Sequence, residues 1–293
     1  MLVQLVADVG KRRWSSFSVS PQDVIESLGR PQHFPEDNLF VAEKAGDIVG
    51  YVDVTPELNI GRVVFSCLVH LKYRENFVTT KLIERAIERA RELKGKRVHV
   101  NISQDNVTGR KLFTKMGFRF IRRFLELRLD LSEVHVHKIE RISPRYRHMK
   151  GGEEEKLVHI QNRSFADTWG FNPNTVEEIA YRIGLPNCSP KDIVFAFDGD
   201  NVIGYCWTRI YGEEDNLPRT VKGRIYMLGV DPDHRSKGIG KEVLLAGLSY
   251  LKSKGLSIVE LTVDGKNKEA HVLYRSAGFK VRTRSLWYEK VLD

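Results

Sequence analysis

Strict alternation of apolar and polar residues marks the strands of the second half of the chain, and a three-to-four-residue spacing marks its helices. DIVFAFDGDNVIGYCWTRI, from Asp192, predicts a hairpin with its turn at the Gly-Asp-Asn of residues 199 to 201. GRIYMLGV predicts a strand ending at Val230, and GIGKEVLLAGLSYLKSKG an amphipathic helix stopped by Gly255. SIVELTV predicts a strand and EAHVLYRSAG a helix, and FKVRTRSLWYEKVL is expected to form a closing pair of strands. Upstream, VHVHKIERI (Val134 to Ile142) alternates like a strand and the segment from Glu153 is helical. NTVEEIAYRIG is a helix with Asn174 as the expected N-cap and Gly184 as its stop. The order β-α-α-β-β-β-α-β-α-β-β combines an antiparallel meander with one β-α-β crossover, which predicts an α+β domain with a mixed, mostly antiparallel sheet flanked by helices.

The pattern occurs twice. NVTGRKLFTKMGF from Asn106 matches NKEAHVLYRSAGF from Asn267 at an offset of 161 residues, which pairs Phe113 with Tyr274 and Gly117-Phe118 with Gly278-Phe279. DIVGYVDV (from Asp47) matches NVIGYCWT (from Asn201) at an offset of 154, so an insertion lies between Tyr205 and Arg235. The segment YGEEDNLPRTVKG has the loop chemistry to carry it. A period this long is a duplicated domain. The expected domains are residues 1–131 and 132–293, with the boundary after the strand-like FLELRLDL. The first copy keeps the element order from about Leu39. Before that, SPQDVIESLG predicts a helix capped by Ser20 with Pro21 in its first position.

Composition narrows the class. The 293 residues are 41% hydrophobic and 29% charged, as in ordinary folded proteins, and no apolar run is long enough to cross a bilayer. MLVQLVADVGKRRW is interrupted by Asp8 and is not expected to be a signal peptide. Three scattered cysteines argue for a reducing compartment and against disulfides or a structural metal site, so a cytoplasmic protein with no metal is expected. The net charge of +9 divides into +6 over residues 1–131 and +3 over 132–293. An anionic ligand accounts for such a surface, as does simple solvation. Nucleic acid is the weaker reading, because no basic-aromatic motif accompanies the charge.

The richest chemistry lies in LGVDPDHRSKGIGKEVLLAG. A strand ends at Val230, and Arg235-Ser236-Lys237-Gly238-Ile239-Gly240 opens a helix. Two glycines admit close backbone approach, the helix start offers unpaired N–H groups, and Arg235, Lys237 and Lys241 add positive charge. That combination specifies an anion site, most naturally for a pyrophosphate. A dinucleotide fingerprint is also conceivable, with Glu260 twenty residues beyond Gly240. It fails because Val243 stands where the third glycine belongs and no parallel β-α-β series continues.

V-D-P-D-H-R-S-K-G-I-G followed by L-T-V-x-x-x-N-x-x-A-x-x-L-Y-x-x-x-G-F, over residues 225–280, resembles the acetyl-CoA signature of the GCN5-related N-acetyltransferases. The resemblance implies two tandem domains of that fold, with a cofactor arm lying where the fourth and fifth strands splay. It implies backbone contacts to pantetheine and acetyl from Leu228, Gly229 and Val230. A pyrophosphate cradle would come from Arg235, Ser236, Lys237, Gly238, Ile239, Gly240 and Lys241. Asn267 would bond the pantetheine or nearby backbone, and Tyr274 would donate a proton to the departing thiolate. Acetyl-CoA is then the cosubstrate and an amine, on a small molecule or a protein, the acceptor. Direct attack of the amine on the thioester needs a base, for which Glu260, Asp264 and the acidic loop Glu213-Glu214-Asp215 are candidates. The plainer reading of Tyr274 is a core aromatic.

The first copy has Phe77 opposite Gly238, Thr79 opposite Gly240, Phe113 opposite Tyr274, and Arg74-Glu75 at the start of the loop. A phenylalanine is expected to obstruct phosphate approach and a glutamate to repel it, so this copy is expected to keep the fold without using acetyl-CoA. One degenerate and one intact copy resemble the two-domain, mycothiol synthase-like acetyltransferases, in which the C-terminal domain is the active one. In that comparison Asn162, Phe165, Asp167 and Trp169 are candidates for the acceptor groove. A fused pair replaces a dimer, so a monomer is expected. The alternative function is a non-catalytic acyl-CoA-binding, protein- or nucleic-acid-interaction module built on the same folds.

Overall fold

The computed structural model describes residues 5–6, 21–73, 76–132, 145–212 and 221–293. The chain divides into two compact units, one of residues 1–125 with 283–293 and one of residues 126–282. The division therefore differs from a linear cut after 131, since each unit takes a strand segment from the other half of the sequence. Within the described residues, no helix is long and apolar enough to cross a membrane.

In the first unit a helix α1 (Pro21–Leu28) precedes strands β1 (Leu39–Lys44), β2 (Asp47–Glu57) and β3 (Arg62–Val69). There follow helix α2 (Asn76–Glu92), strand β4 (Arg97–Ser103), helix α3 (Val107–Lys115) and strand β5 (Arg119–Asp130), of which residues 126–130 belong to the second unit. The sheet order is β1-β2-β3-β4, continued by the last strand of the chain, β11 (Lys280–Val291). Residues Ser285 to Val291 of β11 run antiparallel to Arg97–Ser103 of β4. This is where the expected closing pair of strands is corrected. FKVRTRSLWYEKVL contains no Gly, Pro, Asn or Asp, and it forms one twelve-residue strand, Lys280–Val291. Val63, Ile83, Val98, Phe113, Leu286 and Tyr288 are buried together as the core of this unit.

In the second unit come β6 (Tyr146–His148), α4 (Glu154–Phe165), α5 (Val176–Ile183), β7 (Ile193–Asp198), β8 (Asn201–Gly212), β9 (Val221–Val230), α6 (Ile239–Ser253), β10 (Ile258–Asp264) and α7 (Lys268–Ser276). Its sheet order is β5-β10-β9-β8-β7-β6. The meander β6 to β9 is antiparallel and β9/β10 is parallel, as the alternation and the single crossover require. Helix α4 packs on one face over Tyr205 and Trp207, and the apolar stripe Val243, Leu244, Leu248 and Leu251 of α6 is buried on the other. The predicted strand Val134 to Ile142, the Ser20 cap, Arg74-Glu75 and the acidic loop 213–215 lie outside the described residues.

The two parallel pairs share one feature. β3 and β4 are in register only over Arg62–Val64 and Arg97–His99, and β9 and β10 only over Gly223–Arg224 and Val259–Glu260. Beyond those residues the strands part, leaving a wedge in each unit whose backbone groups have no neighbouring strand.

Candidate active site

The site in the second unit is built where β9 stops and α6 begins. Asp231 organises the turn. Its carboxylate accepts from the Asp233 amide at 2.9 Å, starting a short helical turn over Pro232–His234. Arg163 of α4 donates to Asp231 Oδ2 at 2.6 Å and to Asp233 Oδ2 at 2.9 Å. Held chiefly by that guanidinium, and then by the Asp233 amide, the Asp231 carboxyl is pulled down to a pKa of about 2.

The chain then turns through Ser236 (φ 62°) and Gly238 (φ 85°) into α6. Gly238 is the N-cap residue and no side chain caps the helix. A Cβ at Gly238 would touch nothing, so it is the left-handed backbone that calls for glycine there. The amides of Arg235 and Lys241 are bonded to the carbonyls of Pro232 and Gly238. Those of residues 236–240 have no backbone partner among the described residues. Five N–H groups at a helix N-terminus are thus left without a backbone partner, an anion-binding arrangement.

The side chains divide in the same way. Arg235 is tied down, donating to the Ser164 carbonyl at 2.8 Å and to the Val230 carbonyl at 3.4 Å. Lys237 donates to the Asp233 carbonyl at 3.2 Å, and Lys241 is exposed. Gly240 is the meeting point. A Cβ there would stand 3.6 Å from Val230 of β9 and 3.7 Å from Leu273 of α7, the residue before Tyr274. The structure thus brings the strand end, the loop and the Tyr274 helix together.

Tyr274 is buried, packed edge-on to Phe279 with ring centroids 5.7 Å apart. Burial, with a smaller contribution from Cys206, raises its hydroxyl pKa above that of a free tyrosine. Asn267 caps α7, accepting from the Ala270 amide at 3.0 Å, and Asn106 accepts from Gly109 at 2.8 Å at the same place in the first unit. Of its two expected roles, Asn267 takes the bond to nearby backbone.

On the opposite face of β9, Gly229 is a close-packing position. A Cβ would come within 2.7 Å of both Ser164 Cβ and Tyr205 Cε1. The Ser164 hydroxyl beside it is buried without a hydrogen bond, and the Tyr205 hydroxyl lies against the Gln161 side chain. Asn162 and Asn174 hold each other by side chain-to-backbone bonds of 2.9 and 3.0 Å, and Asn174 also donates to Gln161. Asn174 is therefore a cross-brace. The N-cap of α5 is Thr175, whose hydroxyl accepts from the Glu178 amide. Phe165 stacks on Phe171 at 5.5 Å. Two of the base candidates are already engaged. Glu260 is ion-paired with Arg282, and the Asp264 carboxylate caps the Lys266 amide at 2.9 Å. Arg163, Ser164 and Tyr205 carried no local signal in the sequence, because their partners are up to 70 residues away.

A profile of the acetyltransferase (GNAT) family matches residues 7–118 and again 155–279. The chain belongs to this family. It is 30% identical over 262 residues to the mycothiol acetyltransferase of Stackebrandtia nassauensis, covering 88% of this chain and 84% of that one. Among solved structures it resembles a tandem GNAT protein from the clavulanic acid biosynthesis pathway (TM-score 0.72, 15% identity, 99% and 93% coverage). It also resembles a GCN5-related N-acetyltransferase from Sphaerobacter thermophilus (TM-score 0.68, 20% identity, 99% and 91% coverage). The chain is thus an acetyltransferase of two tandem GNAT domains, each a mixed sheet flanked by helices, and acetyl-CoA is the cosubstrate of such enzymes.

The GNAT unit at the N-terminus departs from this site in the expected places. Phe77 is 72% exposed, so it does not plug the position opposite Gly238 with its ring. Instead α2 already begins at Asn76, so Phe77 lies in the first turn of the helix, where its counterpart Gly238 stands just before α6. Phe113 is buried against Phe118 and Phe65 at 5.3 and 6.1 Å, and offers no hydroxyl.

Proposed function

We propose that the second unit transfers the acetyl group of acetyl-CoA to an amine by direct attack, and that the first does not turn over. The observation that carries this reading is the convergence at Gly240, where five unpartnered amides, the parting of β9 from β10 and the Tyr274 helix meet. Bound there, acetyl-CoA supplies an acetyl thioester and a thiolate leaving group. The amides of Ser236, Lys237, Gly238, Ile239 and Gly240 hold the pyrophosphate, with Lys237 and Lys241 adding charge. Arg235 holds the loop to α4 rather than the phosphate. The unpaired edge of β9 at Leu228 and Val230 binds the pantetheine arm, and the Leu228 amide stabilises charge on the carbonyl oxygen. Tyr274 keeps its proton across the neutral range, because burial raises its pKa, and so it faces the sulfur as a hydrogen-bond donor. The amine arrives on the α4 side of Gly229, where the Ser164 hydroxyl makes no hydrogen bond.

Calorimetric titration of acetyl-CoA into the full chain tests this. One site per chain is expected, lost in Gly238→Phe and unaffected by Phe113→Ala. Two sites, or one site that survives Gly238→Phe, would place the cofactor elsewhere.

A further inference from the structure

The first unit has a cavity of about 250 Å³ in its own wedge, between the diverging ends of β3 and β4 and beneath α1. Its walls are largely apolar, and the charged groups among its described lining residues are both acidic. Two carboxylates, Asp23 and Asp53, line it, and among the described residues the lining holds no lysine, arginine or histidine, with His33 set behind Asp53. This stands out in a chain of net charge +9.

Two buried polar atoms lining the cavity make no hydrogen bond. Asp53 is 7% exposed and Thr79 5%. The Thr79 hydroxyl, which lines the cavity from α2, makes no hydrogen bond, and neither does Asp53 Oδ1. His33 Nε2 stands 2.8 Å from Asp53 Oδ1 without the alignment a hydrogen bond needs. Native proteins rarely leave such groups unsatisfied, so this cluster points to a ligand.

We propose that this cavity binds a small aliphatic amine, its ammonium on Asp53 and its chain along the apolar wall toward Phe113. The carboxylates favour a cation and repel phosphate or carboxylate groups, and a desolvated carboxylate gains strongly from a charged donor. Size agrees. An apolar cavity of ~150 Å³ takes benzene, so this one takes a ligand of roughly ten non-hydrogen atoms. The contrast with the second unit follows from three substitutions at repeat-equivalent positions. Thr79 replaces Gly240, Phe113 replaces Tyr274 and Cys67 replaces Leu228, so the wedge keeps its space without the second glycine of the loop or the Tyr274 hydroxyl.

The test is calorimetric titration of hexylamine, hexanol and hexanoate into the full chain, its Asp53→Asn variant and a Ser27→Leu variant, which narrows the cavity from the surface helix. The expected result is one hexylamine per chain, bound about tenfold or more weakly by Asp53→Asn and not by Ser27→Leu, with hexanol and hexanoate failing to bind. Hexylamine held equally by Asp53→Asn, or by Ser27→Leu should the other variant not fold, would put the amine elsewhere, the acceptor side of the second unit included. Equal binding of hexanol or hexanoate, or no binding of hexylamine, would overturn the assignment.

Discussion

At the scale of single residues, the proposed function separates groups that would bind or react from groups that hold them in place. Arg235 and Asn267 sit inside the family signature, yet their side chains are spent on the protein's own backbone. Tyr274 has no such duty. Its replacement by phenylalanine keeps the packing on Phe279 and removes the donor. Tyr274→Phe is expected to lower kcat about a hundredfold with acetyl-CoA affinity within about twofold, which steady-state kinetics and calorimetry would separate. A matching loss of affinity would make Tyr274 a binding residue. The glycines, the positive charges and Tyr274 were all legible in the sequence, because each acts through its own residue type. Which amides remain free was not legible, since that depends on what Pro232 and Gly238 accept.

At the scale of elements, the loop between β9 and α6 and the helix α4 are joined twice, by Arg163 of α4 on Asp231 and by Arg235 on the Ser164 carbonyl. The first link is a pH-dependent one. The Asp231 carboxyl is depressed in the folded state from an ordinary 3.8 to about 2. Its stabilisation is therefore complete above about pH 4 and is lost as pH falls through about 2. Urea unfolding of the wild type and Asp231→Asn should show the wild type more stable at pH 7, with the gap closing between about pH 4 and pH 2. A gap independent of pH would mean the ion pair adds no stability. The order of elements was recoverable from periodicity and turn residues. The Thr175 cap was missed because the side chain of Asn174, an equally good capping residue one position earlier, donates instead to Gln161 across the helix corner.

At the scale of the whole molecule, the unexpected feature is that the first unit is finished by the end of the chain. Strand β11 supplies the partner of β4 over seven residues, and Leu286 and Tyr288 enter its core. Deleting residues 283–293 should therefore destabilise the first unit and expose β4 as a free edge. The expected readout is early proteolysis within residues 21–125 and concentration-dependent aggregation. A truncated chain with unchanged protection there would show that β11 is dispensable.

The duplicated pattern of alternation, the Gly-x-Gly turn into α6 and the loss of that turn in the first copy follow from the sequence alone, because periodicity and backbone freedom are properties of neighbouring residues. The tertiary structure alone decided which half owns β11, which arginine steadies Asp231, and that the carboxylates of the first unit enclose a cavity. Those depend on residues between about 30 and 190 positions apart in the chain, and only the closure of a sheet or the burial of a charge fixes such pairings.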